Sequence, residues 1–308
     1  MTGVSFSAVG TALPDKIVTN ADFAARLDTS DQWITERTGI KERHMGGTTV
    51  ELGIQAGKKA LEVANLDPSE IGLCILTTTA ADHIFPGSSH GIQTGLGLNC
   101  GAFDLNAACS GFVYSLVVGH GLVRGSGVDK ILLIASEALS RFVDQDDRST
   151  AVLFGDGAGA IVLQKTNEPD SLLSWDLGSS GQDVNLLYCD HSGFLQMKGR
   201  DVFKKAVRVV VDSVQKTLQR ANLDVKDIDL FVPHQANIRI IEAINQRLGI
   251  PMEKTAIVLD KLGNTSAASI PLALDEATKR GNLKKGDTIV VSGFGAGMSW
   301  ASAALKWG

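Results

Sequence analysis

The sequence predicts an α/β protein in which helices cover both faces of its sheets. Its apolar, β-rich runs are continuous rather than alternating, which is typical of strands buried on both sides. Amphipathic helical stretches separate these runs, as in layered α/β architectures. In chain order, the predicted strands are VSFSAVG, IGLCILTTT, KILLIAS, GAIVLQ, IDLFVP and DTIVVSGFG, and the predicted helices are ELGIQAGKKALEVA, VFKKAVRVVVDSVQKTLQRA and NIRIIEAINQRLG.

The chain also resembles itself, which predicts two similar halves. Each half contains a strand, a small-residue helix and a second buried strand at nearly the same spacing. Cys109 and Asn264 take matching places at the starts of the two small-residue helices, which a pseudo-twofold axis would bring together. Chance similarity between two βαβ units is the alternative. We place the halves at residues 1–167 and 168–308, with the boundary in the polar stretch TNEPD.

Composition excludes several classes of function. The 308-residue chain carries a formal net charge of −5 with scattered Lys and Arg, so it lacks the concentrated positive surface that nucleic-acid binding needs. No apolar stretch approaches the ~20 residues that cross a bilayer, and the amino-terminal stretch lacks the pattern of a secretory signal. The cysteines, Cys74, Cys100, Cys109 and Cys189, form no CxxC pair, which indicates a reducing compartment. We therefore expect a soluble, cytoplasmic protein.

Cys109, in DLNAACSGF, is the residue that most restricts the range of possible functions. An extended apolar run ends in small residues and places this thiol at the first turn of a helix. The free N–H groups and the positive dipole end of a helix start stabilise a thiolate, which is the nucleophilic form of cysteine. The alternative is that the small residues only let a strand and a helix pack closely around an inert thiol.

Two polar residues of the second half are candidate partners for this thiol. His234 follows the buried strand LFVP, and the carboxyl ends of such strands face the crevice where α/β proteins bind ligands. Asn264 precedes the second small-residue helix. Each has a structural alternative. His234 could be a hydrogen-bonded core histidine, and Asn264 could be a turn residue or a helix N-cap. With Cys109 they form a reacting set of one thiolate and two donors to a developing oxyanion.

Other motifs give weaker support for a functional role. FGDGAGA resembles a phosphate-binding loop but leads into a strand, which favours close backbone packing. The glycines of SGFGAGMSW allow a tight turn whose N–H groups could serve an oxyanion hole, and a purely structural turn is the alternative. The remaining histidines show no metal-ligand spacing, so we expect no metal site.

Several motifs, in the same order, resemble the β-ketoacyl-acyl carrier protein synthase III family of the thiolase superfamily. They run nearly end to end: SDQWITERTGIKERH, DLNAACSGF, FGDGAGA, VPHQANIRII and GNTSAASIPLALDEA. The resemblance implies the thiolase fold, five αβαβα layers in two pseudo-twofold-related halves, and a homodimer. It also implies the initiating condensation of type II fatty acid synthesis, in which a short acyl-CoA and malonyl-acyl carrier protein react without a further cofactor.

The family motifs imply roles for individual residues. Cys109 would be the acylated nucleophile, and His234 and Asn264 would be the decarboxylation pair. The N–H groups of Cys109 and Ala296 would form the oxyanion hole, and Phe85 would cross the dimer interface to floor the partner's acyl pocket. The residues implied to grip coenzyme A are Trp33, Arg37 and Arg148. Those implied to bind the carrier protein are Gln235, Ala236, Asn237, Ile238, Arg239, Lys204 and Arg247.

Two departures from the family pattern and three other functions stay open at this point. The segment between Tyr188 and Phe203 is short for the family, and Ala296 stands where many members have Gly, which suits Ala only at negative φ. A papain-like protease shares the Cys, His, Asn order, but the CGSCW-type sequence around the thiol is absent. A starter ketosynthase of polyketide or other secondary metabolism would keep all three residues, whereas a non-catalytic scaffold would have lost part of the set. For Phe85, local core packing is the alternative.

Overall fold

The computed structural model describes residues 3–125, 127–191 and 193–308. The strands are β1 Gly3–Ala12, β2 Ile17–Thr19, β3 Glu42–His44, β4 Leu73–Thr77, β5 Gly101–Leu105, β6 Lys130–Glu137, β7 Gly157–Thr166, β8 Leu172–Gly178, β9 Leu187–Tyr188, β10 Gln196–Met197, β11 Leu230–Pro233, β12 Thr288–Gly295 and β13 Ser299–Lys306. The α-helices are α1 Asn20–Ala24, α2 Asp31–Thr38, α3 Thr49–Ala64, α4 Ser89–Leu96, α5 Gly111–Gly125, α6 Arg148–Ala151, α7 Gly199–Ala221, α8 Ile238–Leu248, α9 Leu259–Leu262 and α10 Ser269–Lys279.

The two large sheets repeat one topology. In the first, β4 pairs in parallel with β6, β6 pairs antiparallel with β7, and β7 pairs antiparallel with β1. In the second, β11, β12, β13 and β8 follow in the same order with the same relative directions. The first sheet carries a further strand, β5, parallel to β4. The predicted repetition of an α/β half is therefore confirmed.

Helices complete five layers in the order helix, sheet, helix, sheet, helix. The small-residue helices α5 and α10 lie between the sheets, and α5 contacts strands of both. Helices α3 and α4 cover the outer face of the first sheet, while α7 covers that of the second with α8 packed beside it. A Cβ at Gly111 of α5 would lie 2.1 Å from the Thr77 Oγ1 of β4, so only a small-residue helix approaches the sheet this closely. The expected αβαβα arrangement is confirmed.

Three apolar clusters hold these layers together. The central cluster lies between the sheets and includes Phe112, Leu116 and Ile270, each of which is 1 % exposed or less. Full burial of one such side chain stabilises a fold by about 1.5–3 kcal/mol. The other two clusters lie beneath α3 and α7. None of the helices in the described part of the chain combines the length and the apolar character that a bilayer crossing requires.

The predicted strands and helices are all present, but the sequence did not reveal β8 and β13. The strand β8 has alternate residues exposed, so it lacks the continuous apolar run by which the other strands were identified. The strand β13, SWASAALK, is rich in Ala and Ser, which have little preference for strands over helices or turns. Pairing with β12 on one side and β8 on the other stabilises β13 where its own propensity is weak.

The entries to α5 and α10 are built in the same way. Each helix follows a 3₁₀ turn, Ala108–Ser110 or Ser266–Ala268, whose first residue has a left-handed backbone with φ of 48° or 49°. In each case an Asn side-chain oxygen accepts from the N–H of that first residue. The donor–acceptor distance is 3.1 Å for Asn106 and 2.9 Å for Asn264.

This shared geometry corrects the expectation that Cys109 and Asn264 occupy matching places. Asn264 corresponds to Asn106, and Cys109 corresponds to Ala267. Because both helix starts consist of small residues, their sequences can be aligned in several ways that differ by a few positions. The left-handed residue and the hydrogen bond to it define that alignment.

Candidate active site

Cys109 lies in the left-handed turn between β5 and α5. Ala108 carries the positive φ, and the Asn106 side chain accepts a hydrogen bond from its N–H. Residues held in such sparsely populated conformations cluster at functional sites. The end of β12 passes beside the turn, because a Cβ at Gly295 would lie 2.5 Å from the Cys109 nitrogen, and one at Gly293 would lie 3.0 Å from its carbonyl oxygen. Only glycine permits this approach, so these two glycines of SGFGAGMSW help to position the thiol.

A cavity of about 480 Å³ brings the predicted reacting residues together. Cys109, His234 and Asn264 all line it. The same cavity extends to Trp33 and Arg37. Residues from both halves of the chain therefore line one cavity, as expected from the sequence.

A second cavity, of about 770 Å³, lies on another side of the same thiol. Cys109 and Ala296 line it together with Leu187, Tyr188 and other residues of the segment that follows β8. In this segment β9 and β10 pair as a short antiparallel hairpin. Both residues of β9 line the cavity, whereas those of β10 do not. Ser192 lies outside the described residues.

His234 follows β11 and is 3 % exposed. Its Nδ1 lies 2.7 Å from the Ser269 Oγ, and its ring meets that of Phe294 edge-on with centroids 5.5 Å apart. Burial lowers the pKa of His234 to about 3, and a backbone hydrogen bond with Ser266 raises it only slightly against that effect. The imidazole is therefore neutral at physiological pH and acts as a hydrogen-bonding group rather than a cation.

Asn264 is held by its own backbone and by its side-chain oxygen. Its N–H donates to the Leu153 carbonyl at 2.8 Å, and its carbonyl accepts from the Gly155 N–H at 3.0 Å. Its Oδ1 accepts from the Ser266 N–H at 2.9 Å. Since the oxygen is engaged in this turn, the amide nitrogen is the group that Asn264 can offer to the cavity.

Burial favours the protonated form of the Cys109 thiol. Burial raises the pKa of Cys109 to about 12; a hydrogen bond from Ser266 lowers it, and the nearby carboxyl of Glu137 raises it further. The sequence analysis expected the helix start to hold a thiolate. In this buried site the desolvation of a charged sulfur opposes the favourable helix start.

Sequence reasoning missed two residues beside the thiol, Ser266 and Glu137. The Ser266 Oγ lies 3.3 Å from the Cys109 Sγ and 2.9 Å from the Glu137 Oε1. Glu137 is the last residue of β6 and is fully buried. An acidic residue at the end of the apolar run KILLIASE was the available signal, because the carboxyl ends of strands face the ligand crevice.

Comparison with known proteins agrees with this geometry. Two family profiles match the chain, 3-Oxoacyl-[acyl-carrier-protein (ACP)] synthase III over residues 103–181 and its C-terminal counterpart over residues 218–307. The β-ketoacyl-[acyl-carrier-protein] synthase III of Staphylococcus aureus (strain JH1) is 44% identical over 310 residues, which cover 99% of each chain. The chain belongs to the 3-oxoacyl-[acyl-carrier-protein] synthase III family.

Solved structures extend this match to the fold. The synthase III of Aquifex aeolicus VF5 superimposes with a TM-score of 0.97 at 42% identity, covering 99% of this chain and 100% of that one. The priming β-ketosynthase of the R1128 polyketide pathway superimposes with a TM-score of 0.94 at 36% identity, covering 99% and 96%. This synthase III is therefore a thiolase-fold enzyme of the acyltransferase class and of fatty acid biosynthesis. The lower identity to the polyketide enzyme does not favour the secondary-metabolism alternative.

In this synthase III the residues expected to grip coenzyme A cluster around one aromatic ring. The Cζ atoms of Arg37 and Arg148 lie 4.8 Å and 5.0 Å from the centroid of the Trp33 ring. Trp33 and Arg37 belong to α2, and Arg148 begins α6. Two exposed guanidinium groups on an aromatic platform are suited to a ligand that carries phosphates and a flat base.

Most of the expected carrier-protein residues lie toward the surface, but Gln235 does not. Arg239, Lys204 and Arg247 are exposed, on α7 and α8. The side chain of Gln235 is fully buried: its Nε2 donates to the Pro233 carbonyl at 2.7 Å, and its Oε1 accepts from the Val258 N–H at 3.0 Å. Our interpretation of Gln235 as a carrier-protein contact was therefore wrong, because its amide holds two loops together inside the fold.

The remaining residues of that stretch, Ala236, Asn237 and Ile238, are half-buried at the start of α8. The Asn237 side chain accepts from the Arg239 N–H at 2.9 Å and donates to the Arg37 carbonyl at 3.0 Å. The guanidinium of Arg239 donates from Nε to the Glu36 carbonyl at 3.1 Å. The start of α8 is thereby fastened to α2, so the expected carrier-protein surface adjoins the expected coenzyme A site.

Phe85 and Ala296 are compatible with their expected roles. The ring of Phe85 is 84 % exposed, and the neighbouring Ile84 is 78 % exposed, so local core packing does not explain Phe85. Ala296 begins the 3₁₀ turn after β12, beside the Cys109 cavity, and its φ is not positive. An Ala at this position is therefore unstrained, and the left-handed residues of the turn are Gly297 and Met298, with φ of 67° and 42°.

Proposed function

We propose that this synthase III transfers a short acyl group from coenzyme A to Cys109 and condenses it with a malonyl group on the acyl carrier protein. The observation that supports this most strongly is the cavity of about 480 Å³ that Cys109 shares with His234, Asn264, Trp33 and Arg37. Both substrates carry their acyl group on a pantetheine arm. One tunnel that ends at the thiol therefore serves both in turn.

In the first half-reaction, the sulfur of Cys109 attacks the thioester carbonyl as its proton passes to a hydrogen-bonded oxygen beside it. The carbonyl oxygen becomes an oxyanion, which the N–H groups of Cys109 and Ala296 stabilise. The C–S bond to coenzyme A then breaks, and coenzyme A leaves as a thiolate that takes a proton from water. Removing one such oxyanion donor typically costs ~2.7–4 kcal/mol of barrier.

In the second half-reaction, the malonyl thioester loses CO₂ and its electron pair moves onto the thioester oxygen. Donation from His234 Nε2 and Asn264 Nδ2 stabilises this enolate. Its carbon attacks the acyl-cysteine, the Cys109 C–S bond breaks, and a β-ketoacyl product leaves on the carrier protein. Because the donors come from one half of the chain and the nucleophile from the other, both halves are needed for turnover.

Hydrogen bonding around Ser269 supports the donor role of His234. The Ser269 Oγ accepts from the Gln235 N–H at 3.3 Å, so its own proton is free to go to His234 Nδ1 at 2.7 Å. A neutral imidazole then carries its proton on Nε2. We assign this tautomer, since only an Nε2–H can donate to the enolate.

The proposal extends to the partners of the enzyme. The acyl carrier protein would dock around Arg239, Lys204 and Arg247, where exposed cations steer an acidic partner. A homodimer would cover the exposed Ile84 and Phe85 and place Phe85 at the partner's acyl pocket. Thiol and thioester chemistry need no further cofactor. We also propose a cytoplasmic enzyme with halves at residues 1–167 and 168–308.

Intact-protein mass spectrometry with competing acyl-CoAs tests the proposal and identifies the preferred starter. We expect one acyl adduct per chain, located on Cys109 and absent from Cys109→Ser. Cys74 has a pKa that burial raises to about 12, lies within β4 and should remain unmodified. His234→Ala should still form the adduct while malonyl decarboxylation fails. An adduct on Cys100 or Cys189, or loss of acylation together with decarboxylation in His234→Ala, would contradict the assignment.

A further inference from the structure

The condensation described above does not use the buried carboxyl group that lies nearest to the thiol. Glu137 is fully buried, and its Oε1 lies 2.9 Å from the Ser266 Oγ. The same Ser266 Oγ lies 3.3 Å from the Cys109 Sγ. The three side chains come from β6, from the 3₁₀ turn before α10 and from the turn before α5. They form a continuous hydrogen-bonded line that ends at the nucleophile.

The other contacts of Glu137 come from uncharged donors. Its Oε2 accepts from the Thr79 N–H at 3.0 Å, from the Thr79 Oγ1 at 3.0 Å and from the Thr78 Oγ1 at 3.2 Å. The Ala267 N–H lies 3.4 Å from Oε1. Burying a carboxylate among neutral donors costs stability, and an amide or an apolar side chain would avoid that cost. The contact of this acid with Ser266, which in turn contacts the thiol, points to a role that depends on ionisation.

Ser266 occupies a position where packing does not require a hydroxyl. Its backbone is left-handed, with φ of 49°, and its structural counterpart before Cys109 is Ala108, with φ of 48°. Ala is therefore sterically acceptable at this point of the turn. The second half instead has a Ser whose hydroxyl contacts both Cys109 and Glu137.

Only two patterns of donors and acceptors are possible along this hydrogen-bonded line. The Ser266 hydroxyl has one proton and two neighbours, so it donates to one and accepts from the other. When Glu137 is ionised, Ser266 donates to the carboxylate and the Cys109 thiol donates to Ser266. When Glu137 is protonated, it donates to Ser266, and Ser266 donates to a Cys109 thiolate. The two arrangements differ by the shift of two protons.

We propose that Cys109, Ser266 and Glu137 form a proton relay that generates the thiolate. As the Cys109 S–H bond breaks, its proton passes to the Ser266 Oγ, and the proton of Ser266 passes to the Glu137 Oε1. A thiolate and a neutral acid form together, so the buried site does not change its net charge. When the condensation releases the Cys109 thiolate, the two protons return along the same line.

In this relay Ser266 is a catalytic residue, because it contacts the reacting sulfur, and Glu137 is a positioning residue that acts through it. The relay rests on the proposed role of Cys109 as the nucleophile. It acts together with the helix start, because burial raises the pKa of Cys109 and the line through Ser266 gives its proton an acceptor.

The relay has a consequence for the pH dependence of the thiol. Burial raises the pKa of Glu137 to about 7 and that of Cys109 to about 12. For two groups that share one proton, the thiolate population rises with pH only until the carboxyl ionises. Above that pH each thiolate forms at the expense of a carboxylate, so the population becomes constant. A buried thiol without the acid would instead gain thiolate tenfold per pH unit up to its own pKa.

Other ionisable groups near this line are not expected to cause the same levelling of the thiolate population with pH. His234 has a backbone hydrogen bond with Ser266, and burial lowers its pKa to about 3, so it stays neutral over the relevant range. Arg141 and Asp82, beside the Thr79 loop, are paired with each other at 2.8 Å. Cys109 and Glu137 are therefore the pair to measure.

The test is the pH profile of Cys109 alkylation by iodoacetamide in the full-length enzyme, with the modified residue identified by peptide mapping. In the wild type we expect the rate to rise about tenfold per pH unit below pH 7 and to level off above it. In Glu137→Gln the rise should continue to pH 9, where this variant should react roughly 10–100-fold faster than the wild type. In Ser266→Ala the thiolate loses a hydrogen-bond donor, so the rate below pH 7 should fall about tenfold.

The matched control is Asp156→Asn, which neutralises another fully buried acid. Asp156 accepts from the Ser140 N–H at 2.8 Å and from the Gly46 N–H at 2.8 Å rather than from Ser266. This variant should keep the wild-type profile. A wild-type rate that rises without a break from pH 6 to 9 would overturn the relay without any variant, and so would an unchanged break in Glu137→Gln.

Alkylation requires neither acyl-CoA nor carrier protein, so this result is separate from the proposed function. An acyl adduct on Cys109 together with an unbroken alkylation profile would remove the relay and leave the synthase activity in place. An alkylation rate that levels off near pH 7, together with no acyl adduct on Cys109, would support the relay and contradict the proposed synthase activity.

Discussion

The two halves of this synthase III use the same backbone turn for different chemistry. In the first half the turn after Asn106 presents Cys109, whereas in the second half Ala267 takes the matching place. The second turn instead directs the hydroxyl of Ser266 at the Cys109 sulfur, and its capping residue, Asn264, also lines the reaction cavity. The repeated fold therefore supplies the same turn geometry twice. Residue identity at a few positions then separates the proposed nucleophile from its proposed donors.

The sharpest test of this comparison moves the thiol from one half to the other. Cys109→Ala should lower condensation by roughly 10⁴-fold or more, as expected for a lost nucleophile. Adding Ala267→Cys to that variant should not restore activity, because Ala267 is fully buried and lines neither of the two cavities described above. Intact mass after exposure to acyl-CoA measures the outcome.

The control for this exchange is Ala267→Cys alone. It should still carry one acyl group on Cys109, with a stability loss of about 1–3 kcal/mol from the extra sulfur in a packed core. An adduct on the new cysteine would show that the two turns are functionally equivalent.

The next largest effect should separate the two Asn residues that cap the turns. Asn264→Asp keeps an oxygen for the Ser266 N–H but loses the amide donor, so malonyl decarboxylation should fall about 10²–10³-fold. Asn106→Asp makes the same change at the matching position, where the proposed mechanism uses only the oxygen. Decarboxylation in this second variant should stay within a few-fold of the wild type. Equal losses in both variants would make Asn264 a turn residue only.

A third contrast concerns the surfaces of the two halves. Arg239→Glu, at the start of α8, should raise the KM for malonyl-carrier protein about tenfold, because it places a negative charge where an acidic partner docks. Acylation by free acyl-CoA should change little. Lys58→Glu makes the same change in charge on α3 of the first half and should leave both substrates unaffected. Equal loss with both substrates in Arg239→Glu would refute a docking role.

The environment of His234 predicts a dependence of stability on pH. Burial lowers the pKa of this His from 6.5 to about 3 in the folded state, so between these values the folded protein binds fewer protons than the unfolded chain. Stability from this group therefore falls as pH falls below 6.5, by about 1.4 kcal/mol between pH 7.5 and 5.5. His234→Gln should lack this contribution. Urea unfolding of both proteins at fixed concentration measures it, and parallel curves would show that His234 is accessible to protons.

The smallest expected effect concerns Phe85, in the loop after β4 of the first half. Phe85→Ala should remain dimeric and accept longer acyl-CoAs onto Cys109, since the missing ring leaves room for them. Each added methylene is worth roughly 0.8 kcal/mol, so preference should shift about fourfold per carbon. Val63→Ala trims another exposed apolar residue, 65 % exposed on α3, and should not alter chain length. An unchanged chain-length profile in folded Phe85→Ala would place starter selection elsewhere.

Much of the fold was predictable because its signals are local. Continuous apolar runs indicated the buried strands, and small-residue helices indicated the layer between two sheets. The strand β13 was missed because its Ala and Ser residues become a strand only through pairing with β12 and β8. Gln235 was misassigned because a polar residue in a loop usually faces solvent, whereas this one satisfies backbone groups of Pro233, at the end of β11, and of Ala256 and Val258 inside the core.

The sequence by itself determined the layered α/β class and the repeated α/β unit, and it identified the three residues proposed to react, because each is encoded in a short run of neighbouring residues. Only the tertiary structure decided that Ala267 is the counterpart of Cys109 and that Glu137 reaches the thiol through Ser266. Cys109 and Ser266 are 157 positions apart, and Ser266 and Glu137 are 129 apart. Contacts at such separations depend on how two sheets pack against shared helices, which no local pattern specifies. The pKa values of the site follow from the same packing, because burial, not residue type, removes the water that would stabilise the charged forms.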